Sequence, residues 1–329
     1  MFDASIIGHE AIRQRLLERL NSNKLYGALL FVGPDAIGKR RVALELAQRE
    51  MCFKKTACGH CQGCSLFKTD DLQKEYPNLL RIAPEGKAGL IRVDAIRGDE
   101  LVEGGVIRWA HQAAPPGCHR WIIIEDAHRL GKSSANMLLK TLEEPPAGVF
   151  FLLLTHRPES VLPTIQSRSE RIAFSPLSKS ETCKVALDSG WDESELEEWA
   201  AVSNGTLKYL ERDAFMRACS QIDAWVSIME GLSFKDAAMS LLPDKSSELA
   251  QSQQVVNALE HLLTALDMRV RIQNGLPCRL SQWTSRLGAL ANRQIDTRSG
   301  YKYTLEAMKA LSRNVTPETL LRKISLTLG

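Results

Sequence analysis

Over the first half of the chain, near-continuous apolar runs alternate with amphipathic stretches. Strands are predicted at 26–32 (YGALLFV), 78–83 (NLLRIA), 121–125 (WIIIE), 149–155 (VFFLLLT) and 171–174 (RIAF). Runs apolar at almost every position, rather than at every second one, fit strands buried on both faces of a parallel sheet. Helices are predicted near 9–20, 39–51, 92–103 and 133–143. The last carries Ala135, Leu138, Leu139 and Leu142 at i, i+3, i+4 and i+7, and must stop before Pro145-Pro146. Strand–helix alternation predicts a doubly wound α/β domain with its ligand at the carboxyl ends of the strands.

Beyond Pro176 the strand pattern disappears. Residues 178–215 read as short helices with a break at Asn204-Gly205, and from about 220 the pattern is helical throughout. Val255, Leu259, Leu262, Leu263, Leu266 and Val270 form a long stripe, closed by Asn274-Gly275 with Pro277 beyond. Thr316-Pro317 is a predicted helix start, Thr316 as N-cap and Pro317 in the first turn. Leu320, Leu321, Ile324 and Leu328 give that helix its apolar face.

Composition changes this picture little. Of 329 residues, 44% are hydrophobic and 25% charged, ordinary for a globular protein, and a net charge of +3 permits contact with nucleic acid without predicting it. No apolar run approaches the roughly 20 residues that span a bilayer, and the first residues are too polar for a signal peptide. The expectation is a cytoplasmic protein without membrane association. There the eight cysteines point to metal wherever they cluster, rather than to a disulfide framework.

Chemistry enters first at Gly33-Pro34-Asp35-Ala36-Ile37-Gly38-Lys39-Arg40. A glycine loop between a buried strand and a helix turns its backbone N–H groups towards phosphates, and Lys39 is placed to reach the outer ones. Position 40 should carry a Ser or Thr hydroxyl for Mg²⁺, and Arg40 cannot ligate a cation. A plain glycine turn would use the same residues. The ALLFV strand before it and the acids downstream favour the phosphate reading. Those acids, Glu125 and Asp126, end the strand Ile122-Ile123-Ile124. Nucleotide hydrolases place Asp then Glu here, one for Mg²⁺ and one for the attacking water. The reversed order leaves Glu125 able to hold Mg²⁺ through water and Asp126 one methylene short as base. Weak ATP or ADP binding with little or no turnover is expected.

Cys52-x5-Cys58-x2-Cys61-x2-Cys64 follows the loop's helix. Paired Cys-x2-Cys steps let four thiolates close on one tetrahedral ion, the donor set of structural zinc; Gly59 and Gly63 would supply the tight turns. An iron–sulfur cluster and a redox dithiol at Cys58–Cys61 are the competing readings. Cys118, Cys183, Cys219 and Cys278 are scattered and read as packed thiols.

Together these residues resemble the delta-prime subunits of the bacterial DNA polymerase III clamp loader, relatives of the gamma subunits and of eukaryotic replication factor C. The resemblance covers about 5–215. Its most specific stretch is Ala135-Asn136-Met137-Leu138-Leu139-Lys140-Thr141-Leu142-Glu143-Glu144-Pro145-Pro146, joined by Ile91-Arg92-Val93-Asp94-Ala95-Ile96-Arg97 and by the position of the cysteine tetrad. Ser167-Arg168-Ser169 is similar to the family's Ser-Arg-Cys motif, whose arginine enters a neighbouring subunit's ATP site. By that resemblance Arg168 is an arginine finger acting in trans. Thr155 matches the polar sensor at the end of a core strand. Gly205-Thr206-Leu207-Lys208 matches a second sensor, with Lys208 in place of arginine.

The resemblance implies an AAA+ P-loop α/β domain over 1–175 with a zinc module at 52–64, a helical lid over 176–218, and an all-α collar over 219–329. It also implies a non-hydrolysing subunit that assembles with gamma/tau-type ATPases and a delta subunit. Such a complex loads the sliding clamp on primed DNA, so clamp and DNA are met through the assembly. The departures at Arg40, Glu125-Asp126 and Lys208, beside a retained Arg168, are the delta-prime pattern within the family. An active gamma-type ATPase, a zinc-organised DNA-binding scaffold and a thiol redox enzyme remain the rival readings.

Overall fold

A computed structural model describes residues 6–25, 27–67, 76, 78–85, 89–98, 105–112, 118–242, 248–276, 278, 280–290, 295–310 and 317–328. The chain divides into two compact units, Met1–Glu181 and Thr182–Gly329.

The first unit is built on β1 (Ala28–Val32), β2 (Leu79–Ile82), β3 (Arg120–Ile124), β4 (Val149–Thr155) and β5 (Glu170–Ala173). The pairings among these five strands are all parallel, and the order is β2-β3-β4-β1-β5. The five predicted strands are all present within a residue or two of their expected ends; Tyr26 lies outside the described residues. Both faces are covered, and the period of two divides the side chains between them. Leu29, Phe31, Trp121, Ile123, Leu152 and Leu154 join one core with α1 (Glu10–Asn21) and α2 (Lys39–Met51). Ala28, Leu30, Val32, Ile122, Ile124, Phe151 and Leu153 join the other. Its helices are α4 (Val93–Arg97), α5 (Val106–Ala110), α6 (Lys132–Glu143) and α7 (Pro163–Gln166).

A one-turn helix, α3 (Gln62–Ser65), lies within the cysteine segment. The predicted stripe of α6 is real, with Ala135, Leu138 and Leu142 fully buried and Leu139 packed beside them. The helix expected over 92–103 is shorter: Gly98, at φ +74°, ends it after Arg97, and 99–103 lie outside the described residues.

The second unit is helical throughout its described residues. α8 (Lys179–Asp188) leads into it, and α9 (Leu196–Ser203) ends at Asn204 (φ +47°) and Gly205 (φ +80°), the predicted break. Trp191 and Trp199 form a small core with Ala186 and Ala200, and Trp199 Nε1 donates to the Tyr209 carbonyl at 2.7 Å. α10 (Arg212–Glu230), α11 (Phe234–Leu241), α12 (Glu248–Gln273), α13 (Ser281–Ala289), α14 (Thr297–Ala310) and α15 (Pro317–Leu328) follow. α10 starts earlier than the apolar pattern implied and runs unbroken to Glu230. Val255, Leu259, Leu262 and Leu266 of α12 bury against Ile222, Trp225 and Met229 of α10 and against Leu321, Ile324 and Leu328 of α15. Gly275 (φ +70°) follows the end of α12, as predicted. Pro277 and the expected N-cap Thr316 lie outside the described residues. No helix among the described residues is long and apolar enough to cross a membrane.

Candidate functional site

The loop from Gly33 to Lys39 leaves β1 and opens α2 at the carboxyl edge of the sheet. Two glycines make it possible for different reasons. A side chain at Gly33 would put Cβ 2.4 Å from the Phe174 carbonyl oxygen, so close approach excludes anything larger. Gly38 has open space around it but sits at φ +99°, a left-handed conformation that other residues adopt only with strain. His9 Nε2 lies 2.7 Å from the Ile37 carbonyl and braces the loop from α1's side. The Lys39 ammonium folds back on the loop, donating to Gly33 O at 2.8 Å and to Pro34 O. A phosphate would have to draw it off those carbonyls.

Glu125 and Asp126 leave the end of β3, and the structure sends them in different directions. Glu125 is clamped between two guanidinium groups, Arg81 Nη2 at 2.8 Å and Arg40 Nη1 at 3.3 Å. The Arg81 side chain is 1% exposed, so one cation is wholly enclosed beside the carboxylate. The cause is register. Ile82 pairs with Ile124, which sets Arg81 of β2 next to Glu125, while α2 brings Arg40 over from the loop. Asp126, at φ +46°, turns to His156, whose Nδ1 lies 3.3 Å from Asp126 Oδ1. Burial opposes the Asp126 charge, but the contact with His156 and the field of His128 hold its carboxyl below the usual carboxylate range.

Thr155 ends β4 and is buried. Its hydroxyl oxygen accepts from the Arg157 N–H at 3.0 Å and lies 3.1 Å from His128 Nδ1. Burial, with the nearby His156 as a further cause, pushes His128 down to about 4. Gly33, Gly38, Lys39, Arg40, Glu125, Asp126 and Thr155 thus gather at one edge of the sheet. Lys208 lies in the second unit, where its ammonium pairs with Glu260 at 2.9 Å.

Arg168 follows α7, just before β5. Its Nε donates to Glu143 Oε1 at 2.6 Å and its Nη1 to the Thr164 carbonyl at 3.1 Å. Glu143 is the last residue of α6, so the helix ends on the acceptor that orients this arginine.

Cys52, Cys58, Cys61 and Cys64 bring their sulfurs within 4.8 Å of one another, and all four are free thiols. Cys61 Sγ and Cys52 Sγ are 3.9 Å apart, close to the ~3.8 Å edge of a tetrahedron with zinc–sulfur bonds of ~2.3 Å. Backbone N–H groups point at the sulfurs, Cys58 N to Cys52 Sγ at 3.4 Å and Cys64 N to Cys61 Sγ at 3.5 Å. Burial opposes ionisation of Cys52, yet such donors bring it to about 5. Burial and the neighbouring sulfurs push Cys64 up to about 12. Four sulfurs this close cannot all ionise unaided, and a divalent cation would relieve that conflict. The donor set and its spacing therefore fit zinc. Gly63 acts differently from its expected role as a turn. It is helical, and a Cβ there would lie 1.8 Å from the Met51 carbonyl oxygen.

Three residues of this region carry no role in the motif reading: Arg81, His128 and His156. Arg81 was visible as a charge inside an otherwise apolar strand. His156 follows directly on Thr155, but only the β3–β4 pairing places it beside Asp126.

Fold and site define a parallel α/β domain with a phosphate-type loop whose first acid is neutralised by its own arginines. The family model described as DNA polymerase III, delta subunit, matches residues 8–178, and the chain belongs to that family. Among curated proteins it is 37% identical over 144 residues to the DNA polymerase III subunit delta' of Pseudomonas aeruginosa (43% of this chain, 40% of that protein). It is 32% identical over 158 residues to the subunit delta' of Escherichia coli K12 (47% and 44%). The gamma/tau subunit of Mycobacterium tuberculosis H37Rv is 29% identical over 180 residues, 52% of this chain and 28% of that one. The aligned stretches span less than half the length of these relatives.

Proposed function

We propose that this chain is a clamp-loader subunit of delta-prime type that hydrolyses little or no ATP itself. It assembles with gamma/tau-type ATPase subunits and a delta subunit to load the sliding clamp on primed DNA. The observation that carries the reading is Glu125 held between Arg81 and Arg40. Phosphoryl transfer depends on a divalent cation that neutralises charge developing on the phosphates. Here the ligand that should draw the cation is neutralised, and the hydroxyl that should bind it is replaced by a positive charge. Backbone N–H groups and Lys39 still suit weak nucleotide binding, since cradling phosphate needs neither of the lost groups.

Arg168 is the catalytic residue of the proposal, acting in trans as an arginine finger on the neighbouring subunit's ATP. A guanidinium suits this task because it stays charged and presents a planar fork to phosphate oxygens. Glu143 positions it until the neighbour's phosphates take over. Residues 1–175, 176–218 and 219–329 act as AAA+ domain, lid and collar, with Lys208 as a weakened sensor. Cys52, Cys58, Cys61 and Cys64 hold one structural zinc, which fixes the 52–64 module and supplies no chemistry.

Reconstitution tests the reading. The purified chain should release no phosphate from ATP above background, and a complex with cognate gamma/tau and delta subunits should load clamps. Arg168→Ala should leave assembly intact and slow hydrolysis at the adjacent site by about a thousandfold or more, the usual weight of such a residue. Lys39-dependent turnover by the isolated chain would favour a gamma-type motor. Unchanged clamp loading by Arg168→Ala would remove the trans role.

A further inference from the structure

We propose that Asp126, His128 and His156 form a site for a divalent transition-metal ion, separate from the cysteine cluster. Their ligand atoms lie within 4.8 Å of one another, close enough for small side-chain rotations to bring them onto one ion. The fold builds the set from two adjacent strands. β3 and β4 pair in register up to Ile124 and Leu153, so the residues leaving their carboxyl ends are neighbours. The left-handed backbone at Asp126 and the single helical turn Ala127–Arg129 then fold His128 back over Thr155. The two imidazole rings meet edge to face, 4.5 Å between centroids.

His128 supplies the strongest indication. Its Nδ1 is engaged with the Thr155 hydroxyl, while its Nε2 is buried without a hydrogen-bond partner. Leaving a buried nitrogen unsatisfied is costly, and a coordination bond would satisfy it. An imidazole fixed through one nitrogen by an outer hydrogen bond, with the other free, is the usual arrangement of a metal-bound histidine. Thr155 is itself held by the Arg157 N–H, so the outer partner is fixed too.

Two imidazoles and one carboxylate suit Zn²⁺, Co²⁺ or Ni²⁺ rather than Mg²⁺ or Ca²⁺, which prefer all-oxygen ligands. Arg129 and Arg157 lie close enough for their charges to act on His128. They disfavour an ion held by charge alone; an ion held by imidazole coordination withstands them better. Three protein ligands leave a coordination position for water. The ion would tie the turn after β3 to the end of β4, beside the phosphate loop.

The test uses the full chain, purified under reductant with its cysteine cluster saturated by Zn²⁺, then titrated with Co²⁺ alone. Calorimetry should register one further equivalent. Its visible d–d absorption should lack the thiolate-to-cobalt charge-transfer band that a cysteine site would show. His156→Ala, at a partly exposed position, should weaken that equivalent more than about tenfold, the lower limit for losing even an outer-sphere partner. Asp126→Asn should weaken it as well, and both variants should keep the first Zn²⁺. Absence of a further equivalent would overturn the proposal, as would a charge-transfer band or an affinity unchanged in both variants.

Discussion

Replacing a hydroxyl by a guanidinium at position 40 changes more than the residue itself, because Arg40 reaches the acid across the site. The loss of a metal ligand is legible in the sequence at Arg40; the capture of Glu125 is not. Arg81 is separated from Glu125 by 44 positions and joined to it only by the pairing of Ile82 with Ile124. Gly63 gives the same lesson for the cysteine module. Spacing alone marks it as a turn residue, whereas the close approach of Met51 O makes its missing side chain the point. Gly63→Ala should therefore displace the backbone between Cys61 and Cys64 and lower bound zinc well below one per chain. Metal analysis after purification under reductant reads this directly, and a full zinc complement would show that Met51 can yield. Gly131→Ala is the control, since a Cβ there meets only Ser134 Oγ at 3.8 Å.

Elements with strong period were legible from the pattern: β1 to β5, α1, α2, α6 and α12. Those that depend on a partner were not. α5 and α7 are each barely more than a turn, and tertiary packing rather than propensity holds them. α10 begins eight residues before the apolar pattern implied, because its first turns carry Arg212, Asp213, Met216 and Arg217 at the surface and bury only one side. The packing of α10 against α12 has a pH consequence. His261 of α12 is buried, with Nε2 2.8 Å from the Tyr209 hydroxyl and Nδ1 2.7 Å from Gln221 Oε1 on α10. Burial, and then the charge of Lys208, push its pKa from 6.5 to about 3. A histidine depressed on folding stabilises the fold fully above its unfolded pKa. That stability drains away as pH falls from 6.5 towards 3. At about pH 5 the loss should be ~2 kcal/mol. Urea unfolding at about pH 7.5 and pH 5 should show this difference in the native chain and a smaller one in His261→Gln, which cannot titrate. An equal pH slope in both would mean that other groups control acid sensitivity.

At the scale of the molecule, the departures from a hydrolytic site are spread over five segments rather than concentrated in one. The loop contributes a back-folded Lys39, α2 contributes Arg40, and β2 contributes Arg81. The end of β3 contributes a captured Glu125 and a diverted Asp126, and the end of β4 contributes His156 and an occupied Thr155. These residues hold one another: Arg81 would still sit on Glu125 if Arg40 were gone, and His156 would still hold Asp126. Repairing the loop alone should consequently not repair catalysis. Arg40→Thr restores the motif's hydroxyl and removes one of the two cations, so Mg²⁺-dependent nucleotide binding should tighten. Phosphate release from saturating Mg²⁺–ATP should nonetheless stay at background, because both acids at the end of β3 remain engaged, Glu125 by Arg81 and Asp126 by His156. Groups that act as a unit in catalysis lose nearly all of their effect when any one is missing, so on the proposed reading the remaining departures should keep the site silent. Turnover in Arg40→Thr that disappears on further Lys39→Ala substitution would show that the site is one substitution from activity. That would place the barrier at the metal ligand alone.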